Sequence, residues 1–310
     1  MTSGNWHRTY LALAVIVAGL ACFSIAEAQT VKVVARLNPE PGVIVDAAVQ
    51  PTGHLYLLYP EAGRVADYTL DGELYQHIIR EGGQEHLFWP TACDWSMTGD
   101  LLVFDEAAHK VFFIGQDGNI MRGIDLAFPS GDGTLLALSR IGDLSVGSSN
   151  TIWVTVGDSG TVAGFDYDGN HVVSLDLSAM LPYANATYTR PQVLSDGSLF
   201  VLDYHQGAIL YRQGPHGQFR RIILDQPTGM TAAPGIQDFA VDESGNILVA
   251  SYDPESPLLL LTPGDAGYQS HAIDVGLGAG SQRFAVRCSG GMFILWAKET
   301  NNLVLLELTQ

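Results

Sequence analysis

Met97-Thr98-Gly99-Asp100-Leu101-Leu102-Val103-Phe104-Asp105 couples a glycine turn to a short apolar strand that ends in an aspartate, and the turn recurs along the chain. It returns as Pro51-Thr52-Gly53-His54, Ser148-Ser149-Asn150-Thr151, Ser195-Asp196-Gly197-Ser198, Glu243-Ser244-Gly245-Asn246 and Cys288-Ser289-Gly290-Gly291. The turn glycines, with Asn150 standing in for one, are 46, 51, 47, 48 and 45 residues apart. A repeat of this length, built from four short strands, is the signature of a β-propeller. Six copies therefore predict an all-β, six-bladed β-propeller of four-stranded antiparallel blades, a single domain over 29–310.

In the first copy the expected strands are Ile44 to Val49, His54 to Tyr59, Arg64 to Leu70 and Leu74 to Ile79. A second tight turn, Asp71-Gly72, recurs as Asp117-Gly118 and Asp168-Gly169, because glycine takes positive φ without steric cost. His216-Gly217 and Ala266-Gly267 fill the same place in the fourth and fifth copies. The sixth copy runs out after Leu303 to Leu308, whereas Val31 to Leu37 is a strand without a blade. The N-terminal strand is thus expected to pair with the C-terminal blade, closing the ring and removing exposed sheet edges.

Residues 1–28 read as a secretory signal peptide: a weakly basic start at His7 and Arg8, an apolar run from Tyr10 to Ala21, and Ala26-Glu27-Ala28 at the cleavage site. That run is short of the roughly 20 residues a membrane span needs, so no span is expected after cleavage. The mature protein is expected to be secreted or periplasmic. It retains Cys93 and Cys288, on copies that would flank the first and so are not direct neighbours; two free, buried thiols are expected.

Hydrophobic residues make up 47% of the chain, an ample supply for a core. The formal net charge is −18, and removing Arg8 with Glu27 leaves it there. Phosphate binding needs the opposite field, which excludes nucleic acid as a partner. A small molecule or a protein remains, with cations and basic partners favoured.

Between blades the chain makes long connections, Arg80 to Thr91, Ala127 to Gly142, Ser178 to Pro191, Asp225 to Gln237 and Asp274 to Gln282, all emerging on one face. Long loops on a rigid scaffold are where binding groups are carried. Asp46, Asp143, Asp238 and Arg283 align at the start of innermost strands and are expected at the channel mouth on this face, with Arg140 and Arg190 close by and Asp94 near the same level. Two readings stay open: a polar cup whose carboxylates at Asp46, Asp143 and Asp238 offer oxygen ligands to a divalent cation such as calcium, or aspartates that cap strand amides and pair with arginine. Asp105, Asp203 and Asp253 end second strands, where bonding to the following turn explains them. His86 and His205 fall on the loop-rich face near Trp89 and Tyr204, where an imidazole could act as general base or metal ligand. Phe88, Trp89, Tyr183, Tyr188 and Tyr204 are candidates for a recognition patch.

The recurring form, a glycine turn, then Leu101 to Asp105 or Leu199 to Asp203, then Lys110-Val111 or Ala208-Ile209 and a closing Asp117-Gly118, resembles the NHL repeat. The resemblance covers nearly all of the mature chain and implies a six-bladed propeller serving as a protein or ligand scaffold, a gluconolactonase-type metal hydrolase or an amidating lyase. The lactonase pattern of a Glu ahead of a Trp is broken, since Glu40-Pro41-Gly42 is followed by no Trp, and the inner strands hold no His for a lyase zinc. The expectation is an exported scaffold that binds a ligand or protein through its loop-rich acidic face and needs no cofactor. The alternative is a metal-dependent lactonase or esterase with a carboxylate-lined central site.

Overall fold

A computed structural model describes residues 30–50, 52–78, 87–130, 133–147, 149–156, 160–177, 188–203, 207–222, 235–253, 257–264, 267–276, 283–289 and 291–309. The expected signal peptide at 1–28, with its expected cleavage site, lies outside them. The chain divides into two units, Met1–Lys32 with Leu308–Gln310, and Val33–Glu307. Of the first, the described residues are the ends of two strands; the second carries everything discussed below.

Val33–Glu307 forms a six-bladed β-propeller of four-stranded antiparallel sheets. The first blade runs Asp46–Gln50, His54–Tyr59, Arg64–Thr69 and Leu74–Ile78 from the channel outwards. The innermost strands of the other five are Pro90–Trp95, Ile141–Gly147, Tyr188–Val193, Ile236–Val241 and Phe284–Ser289. In the sixth blade the order is Phe284–Ser289, Met292–Ala297, Leu303–Thr309, Thr30–Leu37, so the N-terminal strand supplies the outer position.

The second strands explain why the repeat reads as a continuous apolar run. Along Leu101–Asp105, Leu101 and Val103 pack towards the first blade, whereas Leu102 and Phe104 pack towards the third. Leu199 and Val201 likewise face one neighbour, and Phe200 and Leu202 the other. Each sheet is covered on both sides, so the period of two is hidden in an unbroken hydrophobic stretch.

The turn chemistry follows from the backbone. Gly53, Gly99, Gly197 and Gly245 have φ of 98°, 87°, 78° and 81°, and Asn150 takes φ 55° in the copy that lacks the glycine. In the sixth copy Gly291 takes the left-handed conformation at φ 79°; Gly290 lies outside the described residues. In the fourth blade's outer turn the positive φ falls on Gly214, at 61°, not on Gly217. The long connection after the second blade carries a hairpin, Ala127–Pro129 with Leu135–Ala137, beside the outer strand of the third blade. Most of the other inter-blade connections lie outside the described residues.

Candidate functional site in the central channel

The innermost strands of the second to fifth blades each carry a register shift near their start, between Pro90 and Ala92, Ile141 and Leu144, Thr189 and Pro191, and Ile236 and Asp238. A bulge bends its strand and re-aims the side chains beside it. Arg190 is the unpaired residue of the fourth, held at φ 57° with its side chain buried. A non-glycine residue keeps that backbone only where its surroundings over-determine it.

Here the surroundings are three aspartates and a second arginine. Arg190 Nε donates to Asp143 Oδ2 at 2.7 Å, Nη1 donates to the Val286 carbonyl and lies 3.6 Å from Asp238, and Nη2 lies 3.8 Å from Asp46. Arg287 donates from Nε to Asp46, from Nη2 to Asp143 at 3.1 Å, and from Nη1 to Asp238 at 3.4 Å and the Val286 carbonyl at 2.9 Å. Asp46 is 0% exposed and Arg190 4%. Burial pushes the carboxyls of Asp46, Asp143 and Asp238 above the usual range; for Asp46 the charge of Asp143 adds to this, and Arg190 opposes it in all three. The upward direction prevails despite the ion pairs because the cost of withdrawing each carboxylate from water outweighs the pull of Arg190, to which Lys298 adds at Asp143 and Asp238.

The same side chains stitch the blades together. Asp46 Oδ1 accepts the N–H of Ala47 and Oδ2 that of Cys93 in the next blade. Asp94 accepts from Trp95 and from Val146, and Asp238 from Phe239 and from Val286. Ser145 Oγ accepts the N–H of Val193, Gln192 Oε1 that of Val241, and Ser289 Oγ donates to the Val49 carbonyl. Every seam of the ring is thereby crossed by an inner-strand side chain bonded to the backbone one repeat on.

Beyond the cluster, towards the glycine turns, the channel opens into a cavity of about 350 Å³ lined by Asp94, Ser145, Gln192, Arg287, Cys288 and apolar neighbours. The open space lies on the side of the tight turns, while the charged cluster occupies the strand starts where a mouth was expected. Asp94 sits in this cavity and is pushed up to about 7, chiefly by burial, with the N–H groups of Val146 and Trp95 opposing and Asp46 and Asp143 adding to the rise. Its folded value exceeds the unfolded one, so its contribution to stability is full below about 4 and is lost as pH rises towards 7. Stability is expected to fall by about 2–3 kcal/mol between pH 5 and 8 on account of this group. Urea denaturation across that range checks it, and the slope should flatten in Asp94→Asn.

Among the expected site residues, Asp46, Asp143, Asp238 and Arg190 come together in the cluster. Arg283 does not join them: it is exposed, its N–H is bonded to Glu299, and the arginine in the channel is Arg287, four residues on. Arg140 is also exposed. His86, His205, Tyr183 and Tyr204 lie outside the described residues. Trp89 and Phe88 are 43% and 51% exposed and are held from beneath: Asp105 Oδ2 accepts both backbone N–H groups, at 2.9 and 2.6 Å. Asp105 Oδ1 accepts the Ala108 N–H, so the residue also caps its own turn. A Cβ on Gly63 would come within 3.0 Å of the Leu87 carbonyl, which keeps the neighbouring turn close under the aromatic pair.

The donor set at the cluster does not fit a divalent cation, since the oxygens of Asp46, Asp143 and Asp238 face guanidinium groups. Among the described residues no group of three or more His, Cys, Asp or Glu side chains is arranged to hold a metal ion. The two cysteines among the described residues are free thiols, Cys93 buried and Cys288 half-buried, and both line the cavity. No helix among the described residues is long and apolar enough to cross a membrane.

No protein-family model matches the chain, and no curated protein matches it in sequence. Solved structures do share its architecture. Catalytically inactive virginiamycin B lyase from Staphylococcus aureus, bound to quinupristin, superposes with a TM-score of 0.59 at 14% identity, over 87% of this chain and 83% of the lyase. The β-propeller domain of Cps50 (Swd1) from Myceliophteria thermophila gives 0.61 at 13% identity, over 90% and 100%. The WD40 repeats of RRP9 give 0.59 at 12% identity, over 90% and 97%. At such identities, across a lyase and WD40 scaffolds, the common property is the fold alone: this chain is a six-bladed β-propeller.

Proposed function

We propose that this protein is an exported binding propeller of the NHL type that engages a basic partner, protein or small molecule, through its loop-rich face. The observation that carries the reading is the display of Phe88 and Trp89, 51% and 43% exposed, on a backbone fixed by the buried Asp105 carboxylate. Aromatic side chains presented with few free rotors are what a binding surface requires, because little ordering entropy is lost on contact. Glu61 and Glu106 occupy the flanking turns, and the chain as a whole carries −18, so a partner with positive charge is steered towards it. The lyase and WD40 neighbours are compatible with a scaffold that presents loops, and the carboxylates of Asp46, Asp143 and Asp238 are engaged by Arg190 and Arg287. The reading includes export directed by 1–28 and a protein that works without a cofactor.

An array of basic peptides probed with the protein tests it. Phe88→Ala with Trp89→Ala is expected to weaken the peptides it retains at least tenfold, about 1.4 kcal/mol, with the melting temperature unchanged. Equal binding by the variant, or retention of no basic peptide, would remove the loop-rich face from consideration.

A further inference from the structure

We infer that the channel cavity is a binding site for a short aliphatic amine, anchored on the Asp94 carboxylate. The inference stands apart from the reading above, because it uses the opposite end of the channel and none of the same side chains. At about 350 Å³ the cavity has the size of a small-ligand pocket.

The positive charges at its floor are already committed. Arg190 and Arg287 spend their donors on Asp46, Asp143, Asp238 and the Val286 carbonyl, so they offer little to an anion. Asp94 is the remaining inner-strand aspartate lining the space, and among the described residues no Lys, Arg or His forms an ion pair with it. Each of its oxygens accepts one backbone N–H, from Trp95 and Val146, which leaves lone pairs on both. A half-buried carboxylate without a counter-charge is only partly served by solvent, and an ammonium group in the cavity supplies that charge together with N–H donors.

The rest of the wall suits a short chain carrying such a group. Ala47, Ala48, Val146 and Val193 give apolar lining for methylene groups. Ser145 Oγ and Gln192 Oε1 each accept one backbone N–H, from Val193 and Val241, and each keeps a second lone pair that can accept from the ligand's ammonium group. Glu243, further out on the lining, adds a second negative charge, which favours a chain with an amine at each end.

Calorimetric titration of the full chain with putrescine at pH 8 is expected to give one saturable site, and succinate, a dianion of similar length, none. Asp94→Asn is expected to weaken putrescine at least tenfold, whereas Asp168→Asn, in an exposed outer turn, should leave it unchanged. At pH 6, in two buffers of different ionisation enthalpy, binding should release a fraction of a proton, because the ammonium selects the ionised carboxylate. The other titratable groups facing Asp94 or the cavity are Asp46, Asp143, Glu243, Cys93, Cys288 and Tyr167, and Arg190 and Arg287 carry fixed positive charge at its floor. Proton release that persists in Asp94→Asn would assign the anchor to one of them and overturn the proposal. So would the absence of saturable binding at millimolar putrescine, or equal affinity in Asp94→Asn. Should that variant fail to fold, Cys288→Phe narrows the cavity while leaving Asp94 in place; it is expected to weaken binding at least tenfold, and unaltered binding there is equally fatal.

Discussion

Replacing Arg190 with alanine is expected to lower the unfolding free energy by about 3–5 kcal/mol, the usual penalty for removing one partner of a buried ion pair. The reason is the company it keeps: Asp143 at 2.7 Å and the Val286 carbonyl lose a buried donor, while Asp238 at 3.6 Å and Asp46 at 3.8 Å lose a buried counter-charge. Arg287 would then face three carboxylates alone. Their carboxyls, already raised by burial, rise further without the second guanidinium, so the variant should recover part of its stability as pH falls and they become neutral. Arg190→Ala combined with Asp143→Asn should be less damaged than the sum of the single changes, because the second removes the charge the first left stranded. Urea denaturation at pH 7 and pH 5 reads all of this. A loss below about 1 kcal/mol in the single variant, the range of solvated surface pairs, would mean that water enters the cluster.

The ring was legible because its determinants are local and repeated. Glycine or asparagine is needed wherever the inner turn takes positive φ, and second strands buried on both faces read as unbroken apolar runs; Asn150 at φ 55° and Leu101–Asp105 show both rules at work. The site was legible only in part. Asp46, Asp143 and Asp238 stand out by alignment, yet which face of the strand Asp143 and Asp238 present depends on bulges that carry no residue signature of their own. Arg190 enters the channel because a bulge turns it inwards, and Arg287 because strand alternation points it there, while Arg283, which aligns with the aspartates, lies outside. A signal for Arg287 did exist: a charged residue in the inner strand Phe284–Ser289, whose preceding residues Phe284, Ala285 and Val286 are all buried. The seam bonds were legible in principle too, because each joins a polar inner-strand residue to a backbone group about one repeat away. What no repeat could reveal is that the cluster fills the strand starts, so that the open part of the channel lies towards the short turns.

Deleting Val31 to Leu37 is expected to abolish cooperative folding, and restoring the same residues behind Gln310 through a short glycine linker is expected to recover it. In the sixth blade these residues are the outer strand, beside Leu303–Thr309. Leu37 is 4% exposed and packs in the same cluster as Leu57, Tyr68, Trp296, Leu303 and Leu305, at the junction where the first and last blades meet. Removing the strand takes away that packing and leaves Leu303–Thr309 as an open edge, with unpaired N–H and C=O groups ready to pair with other chains. In the intact protein the chain brings a strand from one terminus into a blade made by the other, and the loop so closed spans nearly the whole sequence. Supplied from the C-terminal side instead, the strand needs only a tight turn to reach its place, as the outer strands of the other blades do. Burial, not chain order, is thus held responsible for closure. Circular dichroism, urea transitions and size-exclusion profiles compare the three proteins: the deletion should aggregate or unfold broadly, and the transplant should show a single transition near that of the intact chain. A deletion that melts as sharply as the parent would mean that the first blade and the last hold the ring together without the outer strand.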